Sequence, residues 1–440
     1  MEIKLIQTKS DPFLNYYKAH FPLGILSIAT YLKQKHTDLN IEVINGELYS
    51  EKKLLKKTDA DIIGLSCNIM NYKNAIKLAE RAKENGAKVV LGGPYANYFH
   101  DLILQYRNCF DAIVIGDGEK AFTQIVEGKP FKKINNLVFK KDKKIIHTPR
   151  EILDLDKLPY PDRNLIKKDI ITKLKDFIKK ERIMSFYSQK GCPWKKHRGG
   201  CIFCARNNPY RTRNPENVWN ELKHLHETFK VNWFYDISDS LTMDIKWLHE
   251  FAYKKPKNLD VRLNIWSRTS DITEKTIKIL KKLNVQEVYL GVESGNNKIL
   301  KNINKGTAVR QNLKAVRLLK KYKISCTLSF VFGLLGETKQ TLKDTLNHAR
   351  QLVNEGNVKL IVCSLMNPLP GSVGFEMLKE KTNIIYGDIV YFHELEEKWI
   401  EYFTHVNKPE VYNAIDMVLD LDVPYKLDRT FRRGSKGLYS

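Results

Sequence analysis

The sequence contains no run of about 18 apolar residues, the length that a helix needs to cross a membrane. It also lacks the basic segment and following apolar segment of a secretory signal peptide, because MEIKLIQTKSDPFL begins directly as a predicted strand. Acidic residues are scarce, since 50 Asp and Glu stand against 74 Lys and Arg, which gives a formal net charge of +24. The first two absences predict a cytoplasmic protein with no membrane insertion.

The excess of positive charge has no single location in the sequence. The lysines are scattered along predicted helix faces, in segments such as KKLLKK and KILKKLN, and are not collected in one arm. A nucleic-acid-binding protein usually concentrates its basic residues in a patch or stripe. The distribution therefore makes nucleic acid a disfavoured partner.

Cysteine is sparse, and its seven copies form no disulfide framework, because their number is odd and three of them are clustered. We expect a reducing compartment, which suits both free thiols and cluster assembly. The remaining four lie in or beside apolar runs, where a cysteine behaves as a small buried residue. These four are Cys67, Cys109, Cys326 and Cys363.

The clustered cysteines lie in the segment GCPWKKHRGGCIFC, which predicts a metal or cluster site. Cys201 and Cys204 form a CxxC, and Cys192 precedes them across a loop rich in Lys, His and Arg. A structural zinc site is closed by four protein ligands, whereas an iron-sulfur cluster held by three cysteines leaves one iron open. The loop alone favours a cluster, with a Cys3His zinc site completed by His197, or a redox CxxC, as the alternatives.

Residues 1–128 alternate apolar strands with amphipathic helices, which predicts a parallel, doubly wound sheet. Such sheets bind ligands at the carboxyl ends of their strands, although glycines at these positions are also what tight turns require. Residues 129–180 are interpreted as a connector with a hairpin (NLVFKKDKKIIHTPR) and a Pro-rich turn. The candidates at the strand ends of the sheet are Ser66, Gly92, Gly93, Gly116, Asp117 and Gly118.

Residues 181–370 contain six further strand and helix pairs, which predict an open, partial (β/α)6 barrel. A closed barrel of eight strands typically needs about 250 residues. The cysteine loop follows the first of these strands and so lies at the carboxyl edge, where the active sites of such barrels lie. Residues 371–440, an aromatic-rich extension that ends in the basic run LDRTFRRGSKGLYS, are expected to pack across the barrel mouth or its open side.

Polar residues and glycines follow the other barrel strands. Each one alone is typical of a cap or a turn, but together with the cysteine loop they predict a site on one rim. They are Asp236 and Asp239, Arg268, Glu293 and Ser294, and Gly333 to Thr338.

Five motifs of this barrel resemble, in order, those of the radical S-adenosylmethionine (SAM) superfamily. They are GCPW…GCIFC, FYDISDSLT, GVESGNNKILKNINKG, FGLLGET and LPGS. At the front, PLGILSIATYL, DIIGLSCN and VVLGGP resemble a cobalamin-binding fold. The resemblance is therefore to the branch with an N-terminal cobalamin (B12)-binding domain, and it covers residues 1–372.

The resemblance implies three cofactors: a [4Fe-4S] cluster, SAM and cobalamin. Cys192, Cys201 and Cys204 would hold the cluster, and its open iron would take the amino and carboxylate groups of SAM. Around SAM, it implies Asp236 and Asp239 near the amine, Arg268 and Glu293 near the carboxylate or ribose with Ser294 beside them, and the turn Gly333 to Gly336 beneath the adenine. Around cobalamin, it implies Ser66, Gly92 and Gly93 along the nucleotide tail, and Gly116, Asp117 and Gly118 near the corrin edge.

The chain departs from the family pattern in two places. Its loop is CxxxxxxxxCxxC, similar to a subgroup that modifies ribosomally made peptides, whereas most members have CxxxCxxC. The inserted Lys195, His197 or Arg198 could approach the cofactor or form a solvated bulge. The DxHxxG motif that supplies a histidine to cobalt is also absent, which is common in this branch but leaves open a domain that binds no cobalamin.

The implied activity is C-methylation at an unactivated carbon of a peptide or natural-product substrate, through a 5′-deoxyadenosyl radical. The resemblance further implies a small-molecule or peptide substrate and an electron donor such as flavodoxin or ferredoxin. It assigns no catalytic residue. One alternative is a non-methylating reaction, such as cyclisation, rearrangement or transfer of another part of SAM, and another is a zinc-stabilised RNA-binding protein. A tRNA methylthiotransferase is disfavoured, because the N-terminal domain of that group carries three additional cysteines and this one has only Cys67 and Cys109.

Overall fold

The computed structural model describes residues 1–10, 21–166 and 183–426 of the chain. They divide into two compact units, Met1–Lys180 with Ile385–Val390, and Glu181–Ile384 with Tyr391–Ser440. The basic run at residues 427–440 and the end of the predicted connector at residues 167–180 lie outside the described residues. No helix within the described ranges is long and apolar enough to cross a membrane.

The first unit is built on a seven-stranded sheet with the order β2-β1-β3-β4-β5-β6-β7. Strands β1 to β5 are parallel, and β6 and β7 form an antiparallel hairpin at the β5 edge. The doubly wound parallel sheet is therefore confirmed, and the hairpin of the predicted connector adds two strands to it. The strands are β1 (Glu2–Gln7), β2 (Asn40–Asn45), β3 (Ile62–Ser66), β4 (Lys88–Gly92), β5 (Ala112–Val114), β6 (Leu137–Lys141) and β7 (Lys144–His147). The helices are α1 (Leu23–Lys35), α2 (Glu51–Leu55), α3 (Tyr72–Glu84), α4 (Pro94–Tyr106) and α5 (Glu119–Val126).

Close packing fixes strand β3, the middle one of the five parallel strands. A Cβ atom added at Gly64 would lie 2.5 Å from Leu5 Cδ2 on β1 and 2.9 Å from Phe122 Cε2 on α5. Side chains of a neighbouring strand and of a helix thus occupy the space that any larger residue at this position would need. The strand is held in place up to its carboxyl end, where Ser66 lies.

The segment Ile385–Val390 comes from late in the sequence and belongs to the first unit. Its Asp388 carboxylate is 2% exposed and accepts hydrogen bonds from Arg107 Nε at 2.7 Å, from Arg107 Nη2 at 2.9 Å and from the Tyr72 hydroxyl. The Tyr95 hydroxyl donates to the Asp388 carbonyl at 2.7 Å. A buried carboxylate is tolerated only when it is paired and hydrogen-bonded in this way, so these contacts fix the position of the segment within the unit.

The second unit is built on six parallel strands in the order β15-β14-β13-β12-β11-β8, which confirms the open (β/α)6 barrel. A short antiparallel pair, β9 and β10, lies beside the cysteine loop. The strands are β8 (Ile183–Phe186), β9 (Gln189–Lys190), β10 (Arg211–Thr212), β11 (Trp233–Asp236), β12 (Arg262–Arg268), β13 (Val285–Glu293), β14 (Ser325–Phe332) and β15 (Val358–Leu365). The barrel helices are α6 (Pro193–Arg198), α7 (Pro215–Phe229), α8 (Ile245–Tyr253), α9 (Glu274–Lys282), α10 (Asn297–Asn302), α11 (Val309–Lys321) and α12 (Lys339–Glu355).

Local sequence signals set where the barrel helices begin. Asn214 caps α7 by accepting from the Glu216 N–H, and Pro215 occupies the first helical position. Thr338 caps α12 by accepting from the Thr341 N–H. Each cap satisfies a backbone donor that the first turn leaves without a partner, so the loops that carry the site end at defined residues.

Three further helices pack on the barrel, namely α13 (Val373–Lys381), α14 (Phe392–Phe403) and α15 (Lys408–Leu419). Helix α15 contacts the edge strand β15 and helix α12. The buried Trp399 of α14 donates its Nε1–H to the Gly333 carbonyl at 2.8 Å. The Gly374 N–H at the start of α13 donates to the Ile202 carbonyl at 2.8 Å. The extension therefore covers the open side of the barrel, as expected, and reaches the cysteine loop.

Candidate functional site

The cysteine loop begins where β8 ends. Cys192 is the N-cap of α6, and Gly199 ends this helix with a left-handed backbone at φ 79°. The next turn carries the other two thiols, and the Cys204 N–H donates to the Cys201 carbonyl at 3.0 Å. All three thiols are half-buried and form no disulfide. The strand, helix and turn thus bring the three predicted ligands into one loop at the carboxyl rim of the barrel.

The electrostatic surroundings of the thiols differ. Burial raises the pKa of the Cys201 thiol, while the positive charges of Lys305 and Arg268 lower it. Burial also raises the pKa of Cys204, and the nearby Asp239 adds to this effect. A cysteine must lose its proton to bind a metal, and adjacent cations favour the thiolate. The cations beside Cys201 therefore favour its thiolate and oppose the effect of burial, which keeps the pKa of this thiol above its ordinary value.

The spacing of the thiols argues against the zinc alternative. Three ligands of one tetrahedral zinc ion lie about 3.8 Å apart, given Zn–S bonds of about 2.3 Å. Among the described residues, the one trio of His, Cys, Asp or Glu with all donor atoms within 4.8 Å of one another is His100, Asp101 and His147, a hydrogen-bonded surface group. The three cysteines, with or without His197, are spread more widely than this. A four-iron cluster, in which each thiolate binds a different iron, suits the wider spacing.

The inserted part of the loop packs against the segment after α10. The Trp194 Nε1–H donates to the Asn304 carbonyl at 2.9 Å. The Asn304 side-chain amide in turn donates to the Arg198 carbonyl at 2.9 Å and to the Gly200 carbonyl at 2.7 Å. Lys196, His197 and Arg198 are exposed, which agrees with the solvated interpretation of these charges. Lys195 differs from them, because it is half-buried and donates a hydrogen bond to Asn207 Oδ1. The backbone of the insertion is thus held in place, while three of its four charged side chains face solvent.

Asp236 at the end of β11 is committed to contacts within the barrel. Its carboxylate accepts from the Ser188 hydroxyl at 2.5 Å, from the Ser238 hydroxyl at 2.6 Å and from the Ser238 N–H at 2.9 Å. Burial raises the pKa of Asp236, and these hydrogen bonds oppose the increase. Asp236 therefore fixes the chain just before the cysteine loop. Asp239 is half-buried and pairs with Arg206 at 3.3 Å, beside Cys204.

Glu293 forms a buried ion pair with Lys305. Glu293 Oε1 lies 2.6 Å from Lys305 Nζ, and the two side chains are 8% and 7% exposed. A Cβ at Gly291 would lie 2.5 Å from Glu293 Oε1 and 2.7 Å from Lys305 Nζ, so a side chain there would displace the ion pair. Glu293 itself has a left-handed backbone (φ 62°), which costs about 1 to 3 kcal/mol outside glycine. Such strain at a buried charge is typical of a functional position.

The turn after β14 is organised by a buried glutamate. Glu337 Oε2 accepts from the N–H groups of Gly333 at 2.5 Å and of Leu334 at 3.1 Å. Burial raises the pKa of Glu337 to about 7. Gly333 and Gly336 have left-handed backbones at φ 73° and 76°. Ser294, fully buried, accepts from the Asn296 N–H at 3.2 Å and contacts the Thr345 hydroxyl at 3.2 Å.

In the first unit, Ser66 and Gly92 lie side by side at the ends of β3 and β4. A Cβ at Gly92 would meet only the Val114 carbonyl oxygen at 3.7 Å, so the space above this position is open. A Cβ at Gly93 would lie 2.3 Å from the Cys67 carbonyl oxygen, and its φ is 100°. Gly93 is therefore explained by backbone packing, whereas contacts of Ser66 and Gly92 with a cofactor stay predictions.

The turn after β5 is held by its own chain. The Gly116 N–H donates to Asn97 Oδ1 at 3.0 Å, and a Cβ on Gly116 would lie 2.9 Å from Arg150 Nη2. Asp117 is buried, and its Oδ2 accepts from the Leu153 N–H at 3.1 Å. A Cβ at Gly118 would lie 2.9 Å from an Ile28 methyl group. The contacts of these three residues with a cofactor stay predictions.

Comparison with known proteins decides the family. The model of the radical SAM superfamily matches residues 186–349, and the model of the B12 binding domain matches residues 12–126. The chain thus contains a radical SAM domain that follows a B12-binding domain. It is a radical SAM enzyme of the branch that carries a B12-binding domain.

Three relatives of this radical SAM enzyme illustrate the range of its similarities. An uncharacterised methyltransferase of Pyrococcus horikoshii is 28% identical over 367 residues, 80% of this chain and 77% of that protein. The anaerobic magnesium-protoporphyrin IX monomethyl ester cyclase of Rubrivivax gelatinosus is 28% identical over 385 residues, 82% of this chain and 67% of that protein. The bacteriochlorophyllide d C-12(1)-methyltransferase of Chlorobaculum tepidum is 23% identical over 430 residues, 93% of this chain and 87% of that protein.

Two solved structures share the fold of both units. The radical SAM methyltransferase TsrM of Kitasatospora setae, with cobalamin and a [4Fe-4S] cluster bound, superimposes with a TM-score of 0.68 at 16% identity. The match covers 86% of this chain and 75% of the TsrM chain. The enzyme OxsB, with aqua-cobalamin and SAM bound, superimposes with a TM-score of 0.73 at 16% identity, covering 94% of this chain and 66% of its own.

The residues of this radical SAM enzyme fit its cofactors. Three thiols without a compact fourth ligand, among the residues that the structure describes, suit a cluster with one open iron. Buried polar atoms that lack a partner within the described chain follow several barrel strands, as a polar ligand such as SAM requires. They are both side-chain polar atoms of Gln189, Ser240 Oγ, Thr307 Oγ1, Glu337 Oε1 and Asn367 Oδ1.

Sequence reasoning missed several residues of the site. They are Trp194, Asn304, Lys305 and Gly306, which hold the cysteine loop and Glu293 in place. Trp194 lies in the short helix α6 and the other three in the loop after α10, and neither segment has a regular apolar pattern. A signal was present in the motif GVESGNNKILKNINKG, whose final NKG combines an amide, a cation and a turn glycine. Of the four cysteines outside the loop, three are buried as predicted, namely Cys67, Cys109 and Cys326. The fourth, Cys363, is half-buried.

Proposed function

We propose that this chain is a cobalamin-dependent C-methyltransferase that acts on an unactivated carbon of a peptide or natural-product substrate. The observation that carries the proposal is the presence in one chain of a three-cysteine loop on the rim of a radical SAM barrel and of a B12-binding domain. Two relatives named as bacteriochlorophyllide d methyltransferases, matched over 93% and 92% of this chain, support methyl transfer over the other chemistries.

The cofactors supply the difficult chemistry, which is one-electron cleavage of SAM and delivery of a methyl group to a carbon radical. The overall balance consumes one substrate C–H group, two SAM molecules and two electrons. It yields the C–CH3 product, 5′-deoxyadenosine, methionine and S-adenosylhomocysteine. The substrate hydrogen ends in 5′-deoxyadenosine, so no proton is released. The electrons come from a donor of the flavodoxin or ferredoxin kind, and we place the enzyme in the reducing cytoplasm.

The chain itself contributes binding, orientation and exclusion of water. Cys192, Cys201 and Cys204 hold the cluster, and Asp236 fixes the segment that leads into their loop through Ser188. The polar groups without partners on the rim, among them Glu337 Oε1, are available to SAM. The C-terminal helices contact the cysteine loop at Ile202 and so limit its access to solvent.

A non-methylating ring closure is the second candidate. The magnesium-protoporphyrin IX monomethyl ester cyclases of Rubrivivax gelatinosus and Cereibacter sphaeroides are 28% and 25% identical to this chain over 82% of its length. The two reactions differ in their products, because only methyl transfer forms S-adenosylhomocysteine.

The test needs no knowledge of the substrate. Anaerobically reconstituted enzyme is mixed with SAM, cobalamin and a reductant, and S-adenosylhomocysteine is measured against bound cobalamin. We expect about one S-adenosylhomocysteine per cobalamin. Formation of 5′-deoxyadenosine without any S-adenosylhomocysteine would contradict methyl transfer and favour ring closure. Tetrapyrroles, peptides and other natural products, with a deuterated methyl group on SAM, then form the substrate panel.

A further inference from the structure

The guanidinium of Arg268 lies at the centre of the contacts between the cysteine loop and the barrel. It stacks on the Trp194 ring, 4.4 Å from the ring centroid. Its Nη1 lies 4.0 Å from Cys201 Sγ, and its Nη2 donates to the Lys305 carbonyl. Arg268 is 7% exposed, so the charge is held away from water against a cluster ligand.

The inserted loop explains why Trp194 can hold this position. The indole Nε1–H is bound to the Asn304 carbonyl at 2.9 Å. A Cβ at Gly306 would lie 2.1 Å from the Trp194 Cη2 atom, so the ring occupies the space left by a missing side chain. Trp194 lies in the part of the loop that departs from CxxxCxxC. The insertion therefore adds an aromatic ring above Arg268.

We propose that Arg268, held by Trp194, is a positioning residue that donates a charged N–H···S hydrogen bond to the Cys201 thiolate and raises the reduction potential of the cluster. Hydrogen bonds to cluster sulfurs and the local charge are among the factors that set such potentials. A cation stabilises the reduced cluster more than the oxidised one, because the reduced cluster carries one more negative charge. The inference rests on the cluster and not on methyl transfer, so the two can fail independently.

The test is a redox titration of the reconstituted holoenzyme without SAM, followed by electron paramagnetic resonance, with iron content measured on the same samples. Arg268→Gln is expected to keep its iron and to reduce the ratio of reduced to oxidised cluster at the wild-type midpoint by about three- to tenfold, where tenfold is about 59 mV for a one-electron couple. Arg262→Gln is the matched control. Arg262 begins the same strand that Arg268 ends and stacks on Trp233 at 5.6 Å, so its loss should leave the potential unchanged.

Trp194 provides a second route if Arg268→Gln takes up no cluster. Trp194→Leu removes the ring and should lower the reduction potential of the cluster, as Arg268→Gln does. Trp194→Phe keeps a ring and should retain most of the wild-type potential. An unchanged potential in Arg268→Gln or in Trp194→Leu, at full iron content, would overturn the proposal. A loss of SAM affinity with an unchanged potential would also overturn it and would assign Arg268 to SAM instead.

Discussion

Replacing Lys305 by Met would show what the buried ion pair with Glu293 contributes to the site. The two charges are 2.6 Å apart, and each side chain is less than 10% exposed. Removing one partner leaves the other charge buried without compensation, which typically costs 3 to 5 kcal/mol. For a unit of this size, each kcal/mol lowers the thermal midpoint by about 2 to 4 °C. Lys305→Met should therefore lower the midpoint by about 6 to 20 °C.

The assay is thermal unfolding of the reconstituted enzyme, with two further variants for comparison. The double variant Lys305→Met with Glu293→Gln removes both charges and should recover most of the loss, because no uncompensated charge remains. Lys321→Met breaks the exposed pair with Glu274, which is 2.9 Å long, and should leave the midpoint unchanged because solvent screens it. The reasoning fails if Lys305→Met melts with the wild type, or if the double variant is less stable than Lys305→Met.

Three further predictions concern a titrating glutamate, a packed glycine and a cluster ligand. The pKa of Glu337 is raised to about 7, so the stability that this carboxyl contributes is fully present below the ordinary glutamate pKa near 4.5 and falls by about 3 kcal/mol as the pH rises to 7. The wild type should lose this much relative to Glu337→Gln over that range, and equal pH profiles of the two melting curves would contradict this. Gly93→Ala should lower the melting temperature of the first unit more than Gly86→Ala, as circular dichroism melts would show, because both positions have a positive φ but only the Cβ added at Gly93 would lie 2.3 Å from the Cys67 carbonyl oxygen. Cys201→Ala should lose the brown chromophore and SAM cleavage, whereas Cys363→Ala, which changes another half-buried cysteine, should keep both. A full iron content in Cys201→Ala would show that Cys201 is not a cluster ligand.

The periodicity of the sequence predicts most of the fold because each strand and helix is decided locally. Runs such as IIGL in β3 are apolar throughout, which is what a strand buried between helices requires. The cysteine loop and the polar residues at the strand ends follow from the same reasoning, because parallel strands all end at one rim.

Contacts between distant segments could not be predicted, because no local pattern encodes them. Trp194 fills the space beside Gly306 more than 100 residues later in the chain, and Asp388 pairs with Arg107 from 281 residues away. The hairpin of β6 and β7 was interpreted as a connector, since its sequence does not show which edge it pairs with. Its place beside β5 depends on the antiparallel pairing of Ile113 with Val138 and of Val114 with Leu137.

The most direct test of the account is metal and cofactor analysis of anaerobically purified and reconstituted protein. Iron, sulfide, zinc and cobalt are measured together with the visible spectrum, with and without added cobalamin. The account predicts about four irons and one cobalamin per chain. Zinc in place of iron would contradict the cluster assigned to Cys192, Cys201 and Cys204, and a full iron complement without bound cobalamin would contradict the methyltransferase proposal.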